Sequence, residues 1–269
     1  MTSKNVVEAD RGVSGYTLKM VAVISMLIDH TAATILERIL TVASATRFGF
    51  VSTHWNEFYA LYGVMRGLGR LAFPIYCFLI VEGFLHTRSV AKYAARLFVF
   101  ALISEIPFDL AFRKSFWDMS YNNVFLTLFL GLVAIAGIRK VNTTIDCFKE
   151  DGSLNYATLL LRSMINMLVI FACMFVAEYL LKTDYGAAGI IAIVLLYLLR
   201  SHPKTAFFIT VIMLAVLSSE LEIIALAAVP LLAYYNGTRG KQMKYFFYAF
   251  YPVHLLILSG ICMLLGLGI

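Results

Sequence analysis

The chain has 269 residues, 61% of them hydrophobic and 14% charged, with a formal net charge of +6. A soluble domain of this size carries about a quarter charged residues, so these figures exclude one and indicate a polytopic membrane protein. The basic excess is scattered among apolar segments instead of forming a stripe, which excludes nucleic acid as a partner and points to membrane topology.

In chain order, residues 1–17 are polar, with no short apolar core and no small-residue cleavage site. They read as a cytoplasmic N-terminal segment ahead of a retained signal-anchor helix. Apolar segments then recur at residues 18–40, 69–87, 93–112, 123–138, 163–181, 185–199, 205–218, 221–235 and 245–268. Crossing ~30 Å of hydrocarbon takes about 17–25 helical residues, which leaves the sixth to eighth segments short. With nine spans and the N-terminus inside, every cytoplasmic loop is basic, from Lys4, Arg11 and Lys19 through to Arg239, Lys241 and Lys244. The outer side keeps fewer, among them Arg38, Arg47, Arg66, Arg70 and Arg113. The positive-inside bias therefore predicts an all-α transmembrane bundle of about nine spans, its N-terminus cytoplasmic, with residues 18–269 as one domain. Cys77, Cys147, Cys173 and Cys262 lack metal-ligand spacing and read as free thiols, and no metal is expected.

Residues 41–68 form the longest outer connection and are rich in aromatics, among them Phe50, Trp55, Tyr59 and Tyr62. This composition fits an interfacial helix or a lid, with Arg66 and Arg70 one helical turn apart at its end. His54 reads as a solvated loop histidine, and the tract 234–251 as an aromatic belt.

Depth follows from the helical rise of ~1.5 Å per residue. His30 lies roughly 18 Å beyond Leu18, Glu105 roughly 14 Å beyond Arg96, and His254 roughly 15 Å beyond Lys244. Each estimate comes near the middle of the bilayer, with Asp29 beside His30. Ionisable groups at that depth are costly in hydrocarbon and mark functional sites by default. His30, Asp29, Glu105 and His254 are thus the candidate catalytic residues, expected to share one wet chamber. Structural readings stand beside this: Asp29 could anchor a neighbouring helix, and Arg70 could pair with Asp109, the i+4 neighbour of Glu105. Glu82 and His86 also share a helix face, where Arg88 or Lys92 would explain them. Pro74, Pro107 and Pro252 interrupt three of the spans, and kinked helices around a polar centre suggest a cavity.

The segments LKMVAVISMLIDHTA, GRLAFPIYCFLIVEGFLHTRS, KYAARLFVFALISEIPFDL, NNVFLTL, DYGAAGI, YYNGTRG and KYFFYAFYPVHLLIL resemble, in order, the blocks of the TraX family. Its namesake is the F-pilin N-acetylase. The LAFPIYCF block is similar to a segment of the lysosomal heparan glucosaminide acetyltransferases, although this chain lacks the histidine those enzymes keep upstream of it. His30 is the replacement candidate. The resemblance implies a multi-pass protein of the bacterial inner membrane that moves an acetyl group from acetyl-CoA to an amine or hydroxyl. The acceptor, a peptide N-terminus, a sugar or a lipid, stays open, and membrane lipids surround the protein. In that chemistry His30 would take the acceptor proton, and Asp29 or Glu105 would orient its ring. His254, Asn123 or Tyr251 would meet the oxyanion. The CoA phosphates would lie among Lys19, Arg88, Lys92, Arg96, Asn236 and Arg239.

Two rivals remain. A proton-coupled transporter or flippase would use the same buried groups as a relay. A structural membrane partner would use them only to hold helices together. A channel of CoA length reaching His30 favours the enzyme.

Overall fold

The computed structural model describes residues 12–42, 48–149 and 152–268. Most of the polar segment 1–17, with Lys4 and Arg11, lies outside the described residues, as does Arg47. The described part is helical, with no β-strand and three isolated bridge pairs. Its helices are α1 (Gly15–Val42), α2 (Gly49–Thr53), α3 (Trp55–Gly69) and α4 (Ala72–His86). There follow α5 (Val90–Phe108), α6 (Val124–Thr144), α7 (Tyr156–Leu180), α8 (Gly186–Leu198) and α9 (Pro203–Leu217). A 3₁₀ helix (Glu220–Ala228), α10 (Val229–Ala233) and α11 (Lys244–Leu264) end the chain.

Five helical stretches are long and apolar enough to cross a membrane: α1, α3 with α4, α6, α7 and α11. The expectation of nine spans and a cytoplasmic N-terminus goes beyond that. Helices α8 and α9 have 13 and 15 residues, below the usual spanning length. The expected span at 221–235 is instead the 3₁₀ helix followed by the one-turn α10. Pro230 falls at the start of α10, where a missing N–H costs nothing, and helps to break the segment there. Residues 41–68 include α3, which packs on α1 and leads into α4. Pro74 lies in the first turn of α4, so it starts a helix and does not kink one.

Residue size explains the layering. Helix α8 is apolar on all sides and is buried between α6, α4 and α9. Gly131 of α6 admits the side chain of Ile193, as small residues do where membrane helices approach closely. Helix α7, by contrast, turns Leu160, Met164, Leu168 and Phe171 outward and buries little.

Two π-helical turns frame the polar centre. Ala32–Leu36 follows His30 within α1, and Asp109–Arg113 extends α5 past Glu105 and Pro107. Arg38, buried on α1, holds the second turn by donating to the carbonyls of Leu110 at 3.1 Å and Ala111 at 2.6 Å. It also donates to Gly268 at 2.6 Å, which ties the end of the chain to the same place. The carbonyls that a helix end leaves unpaired are thus satisfied by a charge-assisted donor.

Candidate functional site

A cavity of about 1060 Å³ runs beside α1. Both Gly15 and Glu37 line it, a separation of roughly 30 Å at the rise of an α-helix. One end is basic: Lys19, Arg88, Arg96, Arg239, Lys241 and Lys244 all face it. None of these six pairs with a carboxylate among the described residues. Arg239 donates to the carbonyl of His86 at 3.0 Å, which fixes the loop 236–243 over the end of α4. The same loop is tied to the start of α1, where Gly15 N–H donates to Thr238 O at 2.8 Å and Asn236 N–H to Val13 O at 3.1 Å. Of the residues expected at the phosphates, Lys92 and Asn236 do not line the cavity, whereas Lys241 and Lys244 do. Glu82 faces the cavity and accepts from the Tyr235 hydroxyl at 3.0 Å. His86 lies 3.9 Å from it, so neither Arg88 nor Lys92 is its partner.

The middle is apolar, formed by Met26, Phe73, Leu79, Ile80, Leu97 and Leu128. Beyond it stand Asp29 and His30. Asp29 does not orient the His30 ring. Its Oδ1 is held by Arg66 at 2.8 Å and Arg70 at 3.3 Å, because neighbouring helical positions point about 100° apart. Gly69 makes that geometry possible, since a Cβ at this position would collide with the Asp29 carboxylate.

Arg70 does not pair with Asp109 as expected. It bridges Asp29 to Glu222 on the 3₁₀ helix at 3.1 Å, and Glu222 also accepts from the Tyr185 hydroxyl at 3.0 Å. The Tyr185 ring lies flat on Phe73, centroids 3.6 Å apart. Asp109 accepts from the amide of Asp118 at 2.8 Å and stays within its own loop. In that loop the Ser120 hydroxyl and amide, with Arg113, hold the Asp118 carboxyl at about 2, so Arg113 at the far mouth is neutralised.

The ring of His30 meets His254. Nδ1 of His30 and Nε2 of His254 are 2.7 Å apart, and the rings are 7° from parallel. Nδ1 of His254 in turn lies 2.7 Å from the carbonyl oxygen of Phe250. His254 is buried and does not line the cavity; His30 does. Phe112 and Tyr251 pack edge-on around His30, centroids 5.2 and 5.9 Å away. Tyr251 reaches the cavity beside the His30 ring. Glu105 is outside the chamber: it is buried against Asn123, whose amide donates to it and to the Ala101 carbonyl at 2.8 Å. Asn123 also caps α6 through Phe125 N–H at 3.0 Å, so neither residue faces the cavity.

Arg66, Tyr185 and Asp184 line the far end, and Glu222, held by Arg70, lies outside the lining; none of the four was read as a site residue from the sequence, although Arg66 was placed one turn from Arg70. Asp184 lines the cavity and accepts from Tyr121 at 2.7 Å. The block DYGAAGI and the acidic residue in a short apolar segment, Glu222, were the available signals. Among the described residues, no cluster of His, Cys, Asp and Glu could hold a metal ion.

A family model described as TraX protein matches residues 14–262. Probable fimbrial assembly protein FimC, serogroup H1, from Dichelobacter nodosus is 27% identical over 277 residues, covering 94% of this chain and 97% of that one. No solved structure matches the chain.

Proposed function

This chain belongs to the TraX family, and from that premise we propose that it is a membrane acyltransferase that moves an acetyl group from acetyl-CoA to an acceptor during pilus or fimbrial assembly. The observation that carries the reading is a single cavity joining a basic mouth, its cations without a carboxylate partner among the described residues, to His30. Gly15 and His30 are roughly 20 Å apart along α1, a span suited to an extended pantetheine arm with its phosphates at the mouth. The name of the D. nodosus relative supports the assembly role, and the apolar helices support a bacterial inner membrane location.

The chemistry follows from the groups present. The acceptor, an amine or hydroxyl X–H, enters from the end lined by Glu37 and Asp184. Its lone pair attacks the thioester carbonyl carbon while Nε2 of His30 takes the proton from X; Nδ1 is engaged by His254 and Nε2 is the nitrogen left over. The Tyr251 hydroxyl, on a ring that lines the cavity and packs edge-on against His30, donates to the oxyanion. The C–S bond then breaks, the thiolate recovers the proton from His30, and X–COCH₃ and CoA–SH leave. His30 ends in its starting state.

Phosphate contacts made equally in the ground and transition states change KM and not kcat. Arg88→Gln, Arg96→Gln and Arg239→Gln are each expected to raise KM for acetyl-CoA about tenfold, the loss of one charge-assisted contact, with kcat within about twofold. Release of CoA–SH by purified protein in detergent measures this. The cavity continues past His30, which a transporter would also require. Movement of a solute across proteoliposomes with no CoA released in any condition would establish transport and overturn the acyltransferase.

A further inference from the structure

The hydrogen bonds around His254 decide where the protons of the histidine pair sit. The Phe250 carbonyl oxygen can only accept, so the nitrogen 2.7 Å from it, Nδ1 of His254, carries a hydrogen. A neutral imidazole has one N–H, so Nε2 of His254 is a lone pair. The atom 2.7 Å from that lone pair, Nδ1 of His30, must then be the donor. It follows that Nε2 of His30 is unprotonated. We propose that His254 is a positioning residue: through this chain it locks His30 in the Nδ1–H tautomer and presents the Nε2 lone pair to the cavity. The proposal deepens the reading of His30 as base and rests on it for its catalytic consequence, though the tautomer itself does not.

Several features fix the arrangement. His254 is buried and stacks on Phe250, centroids 4.7 Å apart and 15° from parallel. Tyr251 and Phe112 hold the His30 ring from the sides. Asp29, the sequence neighbour that would otherwise orient the ring, is committed to Arg66 and Arg70. A backbone carbonyl, unlike a carboxylate, adds no charge to the chain of donors. It biases the tautomer without drawing a second proton onto the pair. The same division of labour, one ring reacting and a second group orienting it, operates in hydrolytic triads.

The direct test is solid-state ¹⁵N NMR of the unsubstituted protein labelled at histidine and reconstituted in lipid, with His30 assigned by loss of its signals in His30→Gln. The expected spectrum shows His30 and His254 each protonated at Nδ1 and bare at Nε2. A His30 ring protonated at Nε2, or at both nitrogens at neutral pH, overturns the proposal. The functional arm compares two substitutions. Gln places a carbonyl oxygen where Nε2 of His254 sits, so His254→Gln is expected to keep kcat within about fivefold. His254→Phe keeps the stacking but removes the acceptor, and kcat is expected to fall about 10–100-fold with KM for acetyl-CoA unchanged. Equal losses in both variants, matched by equal loss of thermal stability, would reduce His254 to a packing residue. Should the NMR pattern be found and no form of the protein release CoA, the tautomer lock stands and the acyltransferase reading falls.

Discussion

His30→Gln is expected to lower the rate of CoA release by about 10²–10⁴-fold, the usual worth of a positioned general base. Glutamine keeps the approximate size and can still donate to His254, so the helix packing around α1 and α11 should survive. KM for acetyl-CoA should stay within about twofold, because the proposed phosphate site at the basic mouth is roughly 20 Å away. The contrast is with Asp29. Had Asp29 oriented the ring, Asp29→Asn would match His30→Gln in kcat. Its carboxylate is instead shared by Arg66 and Arg70, so Asp29→Asn should affect stability more than turnover. Measuring kcat and unfolding temperature for both variants separates the two roles. Parental turnover in a folded His30→Gln variant would refute the base assignment.

The largest effect on stability is expected at Arg70. This side chain bridges Asp29 on α1 to Glu222 on the 3₁₀ helix, and Glu222 is fully buried. Arg70→Ala strips both carboxylates of a partner. Asp29 retains Arg66, but among the described residues Glu222 keeps only the Tyr185 hydroxyl. Breaking a buried ion pair from one side costs about 3–5 kcal/mol, mainly from the uncompensated charge left behind. The double variant Arg70→Met with Glu222→Gln removes both charges and is expected to recover at least half of that loss. Unfolding in detergent, monitored for the parent, the single variant and the double variant, completes the cycle. A double variant less stable than Arg70→Ala would show that Glu222 is not the group Arg70 neutralises.

These two residues also show how far the sequence could be read. His30 and His254 were legible because burial depth is arithmetic: a fixed rise per residue places both near mid-membrane, and their nitrogens are 2.7 Å apart. Pairing was not legible, since it depends on helix rotation and on where the chain bends. Glu105 has the depth of His30, yet it turns to Asn123, the cap of α6. Arg70 ignores Asp109 because Asp109 is taken by its own loop, while Glu222 is delivered by a 3₁₀ segment that hydropathy alone reads as a span. Pro74 looked like a kink and begins a helix, because the bend between α3 and α4 falls just before it at Arg70 and Leu71. Which of the basic residues face the cavity depends on side-chain direction: Lys244 faces it and Lys92 does not.

The most direct measurement is a cryo-electron microscopy structure of the purified protein with CoA. The account predicts density for the nucleotide phosphates among Arg88, Arg96 and Arg239, and for the thiol in hydrogen-bond reach of Nε2 of His30. A nucleotide seated elsewhere, or a thiol that ends in the basic mouth with the passage to His30 closed, would contradict it.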